Sequence, residues 1–142
     1  MDREYSDNIL RTTGSAATKE VSAPQTVLHA AFDAVIQGNY DLFGESVTED
    51  VELRIAGFGE IDGMWRGRAE VVAATRRNFA LLGEQKPQIE SMIAEGDRIA
   101  VLLREKGILK SSGQPYSIRG VQWFTFAEGK IKKIDEIVAA SS

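Results

Sequence analysis

A carboxylate set among apolar side chains is the feature of this sequence best suited to chemistry. Ile134, Glu136 and Val138 alternate, so in an extended strand all three share one face. Two of the three are apolar. A carboxyl between them is desolvated, which disfavours its charged form and raises its pKa. Such a group is a neutral acid near pH 7, and an ionised carboxylate beside it can serve as a base. Other reactive types are scarce. The chain has no cysteine, which excludes disulfides, thiolate metal sites and a cysteine nucleophile. The single histidine, His29, excludes multi-histidine zinc centres. Next to Leu28 in a helical stretch it reads as a partly exposed or hydrogen-bonded helix residue; an acid–base role requires it to face a carboxylate in a cavity. Asp50, Glu52, Glu60 and Asp62 are spread over a strand and a loop and make no hard-cation site. Gly57-Phe58-Gly59 lacks the strand–turn–helix setting of a phosphate loop, and GxSxG, HExxH and EF-hand patterns are absent. No metal and no cofactor is expected.

The elements that must position Glu136 come late in the chain. Strands are predicted at 86–95, 98–110, 115–126 and 130–139, joined by turns at Glu95-Gly96-Asp97, Ser111-Ser112-Gly113 and Glu128-Gly129. Upstream, Ser22 and Gln25 form a capping box ahead of a helix over about 23–37, with Pro24 in its first turn and Gly38 as its stop. Asn39 caps a shorter helix to about Ser46. Val51, Leu53 and Ile55 alternate with Glu52, Arg54 and Ala56 as a strand. GFGEIDGMWRGR follows as a long glycine-bearing connection. A third helix spans about 68–82, with Val72, Thr75, Phe79 and Leu82 on its apolar face and Gly83 as its end. Helices first and an antiparallel meander after them predict an α+β domain over 21–142. Residues 1–20 are polar and aperiodic and read as a flexible or loosely packed arm.

Composition narrows the partners. Seventeen basic residues against 21 acidic give a net charge of −4, without the basic face that nucleic acid needs. No apolar run approaches the 18 or so residues of a membrane span. The opening MDREYSDNILRTTG has no apolar core like that of a secretory signal, so the cytoplasm is the expected compartment. The predicted 115–126 strand has large apolar groups on both faces: Tyr116, Ile118, Phe124 and Phe126 on one, Val121 and Trp123 on the other. Three helices cannot cover both faces of a curved sheet, so a second copy is expected over the outer one. Trp123, Arg119 and Val121 are the predicted interface of that homodimer.

Gly38-Asn39-Tyr40-Asp41 with Phe43, Trp65-Arg66-Gly67-Arg68 before the third helix, and Trp123-Phe124-Thr125-Phe126 with Glu128-Gly129-Lys130-Ile131 occur in an order and spacing that resemble the nuclear-transport-factor-2-like superfamily. The nearer likeness is to its SnoaL-like and ketosteroid-isomerase-like branch, over about residues 21–139. The resemblance implies a cone: three N-terminal helices on a strongly curved, mostly antiparallel sheet, with a deep apolar cavity between. That shape makes a pocket for a small hydrophobic molecule the default site.

Fold alone does not assign chemistry. By resemblance, the base of the isomerases falls on or next to Arg54, their oxyanion aspartate on Gln122 and their tyrosine near Ala31, so ketosteroid isomerisation is not expected. In the epoxide-hydrolase branch the arginine position falls on Glu105, the first aspartate on Gly107 and the second on Glu136. The resemblance thus points to Glu136, Glu105 and Gln122 as catalytic candidates; the competing reading is that Glu105 and Glu136 lie on edges or rims as ordinary surface charges. Phe32, Arg54, Trp65, Tyr116 and Gln122 are the corresponding ligand-binding candidates. The expected function is acid–base chemistry of isomerase, cyclase or hydrolase type on a small hydrophobic carbonyl or epoxide compound. Ligand binding or protein interaction without turnover is the alternative.

Overall fold

In a computed structural model of the protein, which describes residues 23–141, three helices precede and interrupt a six-stranded sheet. Helix α1 (Pro24–Ile36) starts with Pro24 at its first position. Its N-cap is Ala23, which makes no side-chain cap bond; Ser22 of the expected capping box lies outside the described residues, as does the arm read at 1–20. Proline's fixed φ makes this start tolerable without a capping side chain. Gly38, at φ +74°, ends α1 as expected, because a left-handed residue is needed there and glycine adopts it without strain. Asn39 Oδ1 accepts the Leu42 amide at 3.1 Å and caps α2 (Tyr40–Glu45).

Strand β1 (Val47–Ala56) begins earlier than its alternation suggests, with an irregularity between Val47 and Glu52. The glycine-bearing connection is not all loop. Gly63–Arg66 forms β2, antiparallel to β1, with Leu53 opposite Trp65. Four residues are too few for a periodicity signal to emerge. Helix α3 (Arg68–Leu81) buries Val71, Ala74, Thr75 and Asn78, whereas Val72 and Phe79 sit at the shoulders, half-buried. The expected face is therefore displaced around the helix, and its small side chains allow close approach to the sheet. Gly83 does not end α3. The chain turns extended at Leu82 and runs straight into β3 (Leu82–Glu95).

Strands β4 (Arg98–Leu109), β5 (Pro115–Ala127) and β6 (Lys130–Ala140) complete the meander. Glu128 and Gly129, at φ +52° and +77°, make the two-residue turn into β6 that suits the twist of a hairpin. The strand order is β2-β1-β6-β5-β4-β3, antiparallel throughout except between β1 and β6. The fold is the expected α+β arrangement of helices on a curved, open sheet. Leu28 of α1, Val71 of α3 and Val51, Val101 and Ile131 of the sheet are fully buried between the two layers. None of the described helices is long and apolar enough to cross a membrane.

Candidate functional site

Strand register builds the site. Gln122 of β5 lies opposite Glu136 of β6, so their side chains stand together on one face of the sheet. Gln122 Nε2 donates to Glu136 Oε2 at 2.8 Å. One strand further, Gly107 of β4 lies opposite Tyr116 of β5. A Cβ on Gly107 would stand 2.7 Å from the Tyr116 hydroxyl and ring. Its absence lets the ring lie across β4, and Tyr116 donates from its hydroxyl to Glu105 Oε2 at 2.7 Å. Gln85 Nε2 of β3 donates to the same oxygen at 3.4 Å. Asp62, in the connection before β2, accepts the Gly57 and Phe58 amides at 3.1 and 2.9 Å. That turn holds the Phe58 ring edge-on to Tyr116, 5.2 Å between centroids.

Glu136 and Glu105 both line a cavity of about 130 Å³ between the helices and the sheet. Its other walls are aliphatic and aromatic: Leu28 and Phe32 from α1, Leu53 and Ile55 from β1, Phe124 from β5 and Ile134 from β6 are among them. Phe32 packs edge-on against Phe124 at 5.8 Å. No lysine, arginine or histidine lines the cavity among the described residues. Burial is the main influence on both acids. It pushes the Glu136 carboxyl up to about 7, helped by the charges of Glu105 and Asp62 and opposed by the Gln122 hydrogen bond. Glu105 is also raised by burial, but the hydrogen bonds from Tyr116 and Gln85 pull it back. Burial and then the Glu105 carboxylate push the Tyr116 hydroxyl up, so it stays a donor. The pair therefore has unequal support: two donors hold the charged form of Glu105, and one holds that of Glu136.

The residues singled out from sequence divide clearly. Glu136, Glu105, Gln122 and Phe32 border the cavity. Tyr116 sits behind Glu105 and acts on it by hydrogen bond. Arg54 is exposed on β1, because Leu53 and Ile55 take the inward face and alternation sends Arg54 outward. Trp65 is half-buried away from the cavity and lies under the Arg77 guanidinium, 5.3 Å from its ring centroid. It makes no wall of the cavity, because β2 pairs on the far side of β1. His29 is paired along its own helix with Asp33 at 3.1 Å. Val121 and Trp123 are exposed on the outer face. Arg119, on that same strand, is bound to Glu90 at 3.0 Å through both Nε and Nη2. No cluster of three or more metal-ligating side chains occurs among the described residues.

Asn78 and Gln85 belong to the site without standing out in the sequence, and Phe58 and Asp62, set aside there as a phosphate loop and a cation site, support it instead. Asn78 borders the cavity from α3 and is 4% accessible. A polar residue one turn after Thr75 on a core-facing helix was its signal.

The profile of the SnoaL-like domain matches residues 28–134, and the chain belongs to that family. No curated protein is similar to it in sequence. Among solved structures, it resembles an NTF2-like protein from Burkholderia xenovorans LB400, with a TM-score of 0.72 at 20% identity over 85% of this chain and 92% of the other. A protein provisionally described as a SnoaL-like polyketide cyclase, from Jannaschia sp. CCS1, gives 0.72 at 18% identity over 88% and 91%. TerC, crystallised with polyporic acid, gives 0.67 at 18% over 82% and 91%. At these identities the likeness is one of fold.

Proposed function

We propose that the cavity takes a small, hydrophobic, carbonyl- or epoxide-bearing molecule and that Glu136 carries the proton in acid–base chemistry on it. The observation behind this reading is the pair of carboxyl groups in an apolar chamber, Glu136 bound to Gln122 and Glu105 bound to Tyr116 and Gln85. Two acids whose surroundings support ionisation unequally divide into a proton donor and a proton acceptor. Glu136, with its pKa near 7, samples both forms at neutral pH, which suits a general acid or base. Gln122, donating to Glu136 Oε2, orients the Glu136 carboxyl. The apolar walls exclude water and strengthen each of these interactions. A structure of the same fold, provisionally described as a SnoaL-like polyketide cyclase, fits an enzyme working on a carbonyl compound.

Binding without turnover is the second reading. It is kept open because the positions that resemble the isomerase machinery, on or next to Arg54, at Gln122 and near Ala31, lack that branch's carboxylate base, oxyanion aspartate and tyrosine. A panel of carbonyl compounds, lactones and epoxides screened by thermal shift, then by turnover, separates the two. The proposal expects at least one stabilising compound to be converted, and Glu136→Gln to lower its kcat at least 100-fold while still binding it. Binding without conversion by the unaltered protein favours the second reading.

A further inference from the structure

We propose that Asn78 recognises a neutral oxygen acceptor on the cavity's ligand, so that the ligand is a compact, uncharged molecule held from the helix wall as well as from the acid pair. The inference rests on the cavity being a ligand site and deepens that reading.

Asn78, like Thr75, is a buried polar residue of the helix wall, and its side-chain Nδ2 has no hydrogen-bond partner. Its orientation is set. Arg77 Nη2 donates to Asn78 Oδ1 at 3.4 Å, and the Arg77 guanidinium is in turn stacked on Trp65. The carbonyl end of the amide therefore turns toward Arg77, and the NH2 end of this cavity-lining residue is buried without an acceptor. A buried donor without an acceptor destabilises the fold, and leucine would fill similar space without that penalty. The loss is recovered when an acceptor arrives.

The other polar groups of the wall are already engaged. Thr75 donates to the Val71 carbonyl at 2.8 Å, Gln85 to Glu105 and Gln122 to Glu136. The acceptor's charge follows from the lining. Glu105 and Glu136 border the cavity and no cationic side chain does, so a carboxylate or phosphate would meet like charge with no counter-charge. A ketone, ester, ether or hydroxyl oxygen meets none of that repulsion. The volume, about 130 Å³, is close to that of a cavity known to admit benzene, which limits the enclosed part of the ligand to about one ring.

The test uses two probes of the same shape, cyclohexanone and methylenecyclohexane, which differ in having an oxygen or a CH2 at one position. Binding is followed on the full-length protein by the side-chain amide resonances in proton–nitrogen spectra, with those of Asn78 assigned by their loss in Asn78→Leu. Cyclohexanone is expected to move the Asn78 NH2 signals downfield and to bind roughly fivefold more tightly than methylenecyclohexane, the scale of one buried hydrogen bond. In Asn78→Leu the preference is expected to fall to about one, with methylenecyclohexane bound at least as well as before. Cyclohexanone binding that leaves the Asn78 signals in place overturns the inference, and that readout needs no altered protein. So does a preference that survives Asn78→Leu but disappears in Glu136→Gln; the oxygen is then read by the acid pair, and the proposed function stands. Failure of both probes to bind at millimolar concentration overturns the cavity reading and the inference with it.

Discussion

Glu136 is the residue at which burial and charge oppose each other most. Its carboxyl has one hydrogen bond, from Gln122, apolar neighbours, and the negative charges of Glu105 and Asp62 acting on it. Raised to about 7 from an ordinary value of 4.5, it holds its proton in the folded chain over a range in which the unfolded chain has lost it. Stability from this group is fully present below about 4.5 and is lost as pH rises through about 7. The swing is on the order of 3 kcal/mol. Glu105, shifted in the same direction, adds to the fall. Glu90, lowered by its hydrogen bonds to Arg119 and Arg104, works in the opposite sense at lower pH. Urea unfolding of the wild type between pH 4.5 and 7.5 is expected to show this decline, and Glu136→Gln to remove most of it. Equal slopes for the two proteins would place Glu136 in water.

At the scale of elements, register between strands converts spacing in sequence into a site. Gly107 is the clearest case. It faces Tyr116 across β4 and β5, and the space where its side chain would be is taken by the tyrosine ring. Gly107→Ala is expected to push Tyr116 off Glu105 and cost about 1–3 kcal/mol, the range for breaking a buried hydrogen bond to a charged group together with overpacking. Urea unfolding measures the loss, and Tyr116→Phe in the same background should add little, because the two changes remove one interaction. Much of this geometry was legible in the sequence. Alternation in β6 places Ile134 and Glu136 on one face, and the register of β5 against β6 adds Gln122 to them. Arg54 shows the opposite lesson: its own alternation with Leu53 and Ile55 marks it as outward, and only its position by resemblance drew it to the cavity. Trp65 was misplaced because β2 is too short to announce itself. Asn78 is hard to pick out because the face through Val72 and Phe79 lies one residue around α3 from the buried one, and a helix turns about 100° per residue.

The whole molecule presents an outer sheet face unlike an ordinary solvated surface. Trp123 is 42% accessible and Ile137 60% accessible. Val121 lies directly opposite Ile137, which gathers large apolar groups over two neighbouring strands. Arg119, Arg104 and Glu90 form an ion-paired border beside them. An apolar patch with a polar rim is the usual anatomy of an interface. We propose that a second copy of the chain covers it, joined about a twofold axis. Sedimentation is expected to give a dimer at micromolar concentration, and Trp123→Asp to shift it toward monomer by placing an unpaired charge in the contact. A monomeric wild type would contradict this.

The central claim is that the cavity keeps a carboxyl poised between its two protonation states. A carboxyl-carbon NMR titration of the wild-type protein, with the Glu136 resonance assigned by its loss in Glu136→Gln, tests it directly. The midpoint is expected near 7, with Glu105 also above the usual carboxylate range. A Glu136 midpoint near 4.5, the ordinary value, would contradict the account: the group would be ionised throughout neutral pH, and the case for acid–base chemistry in this cavity would fall.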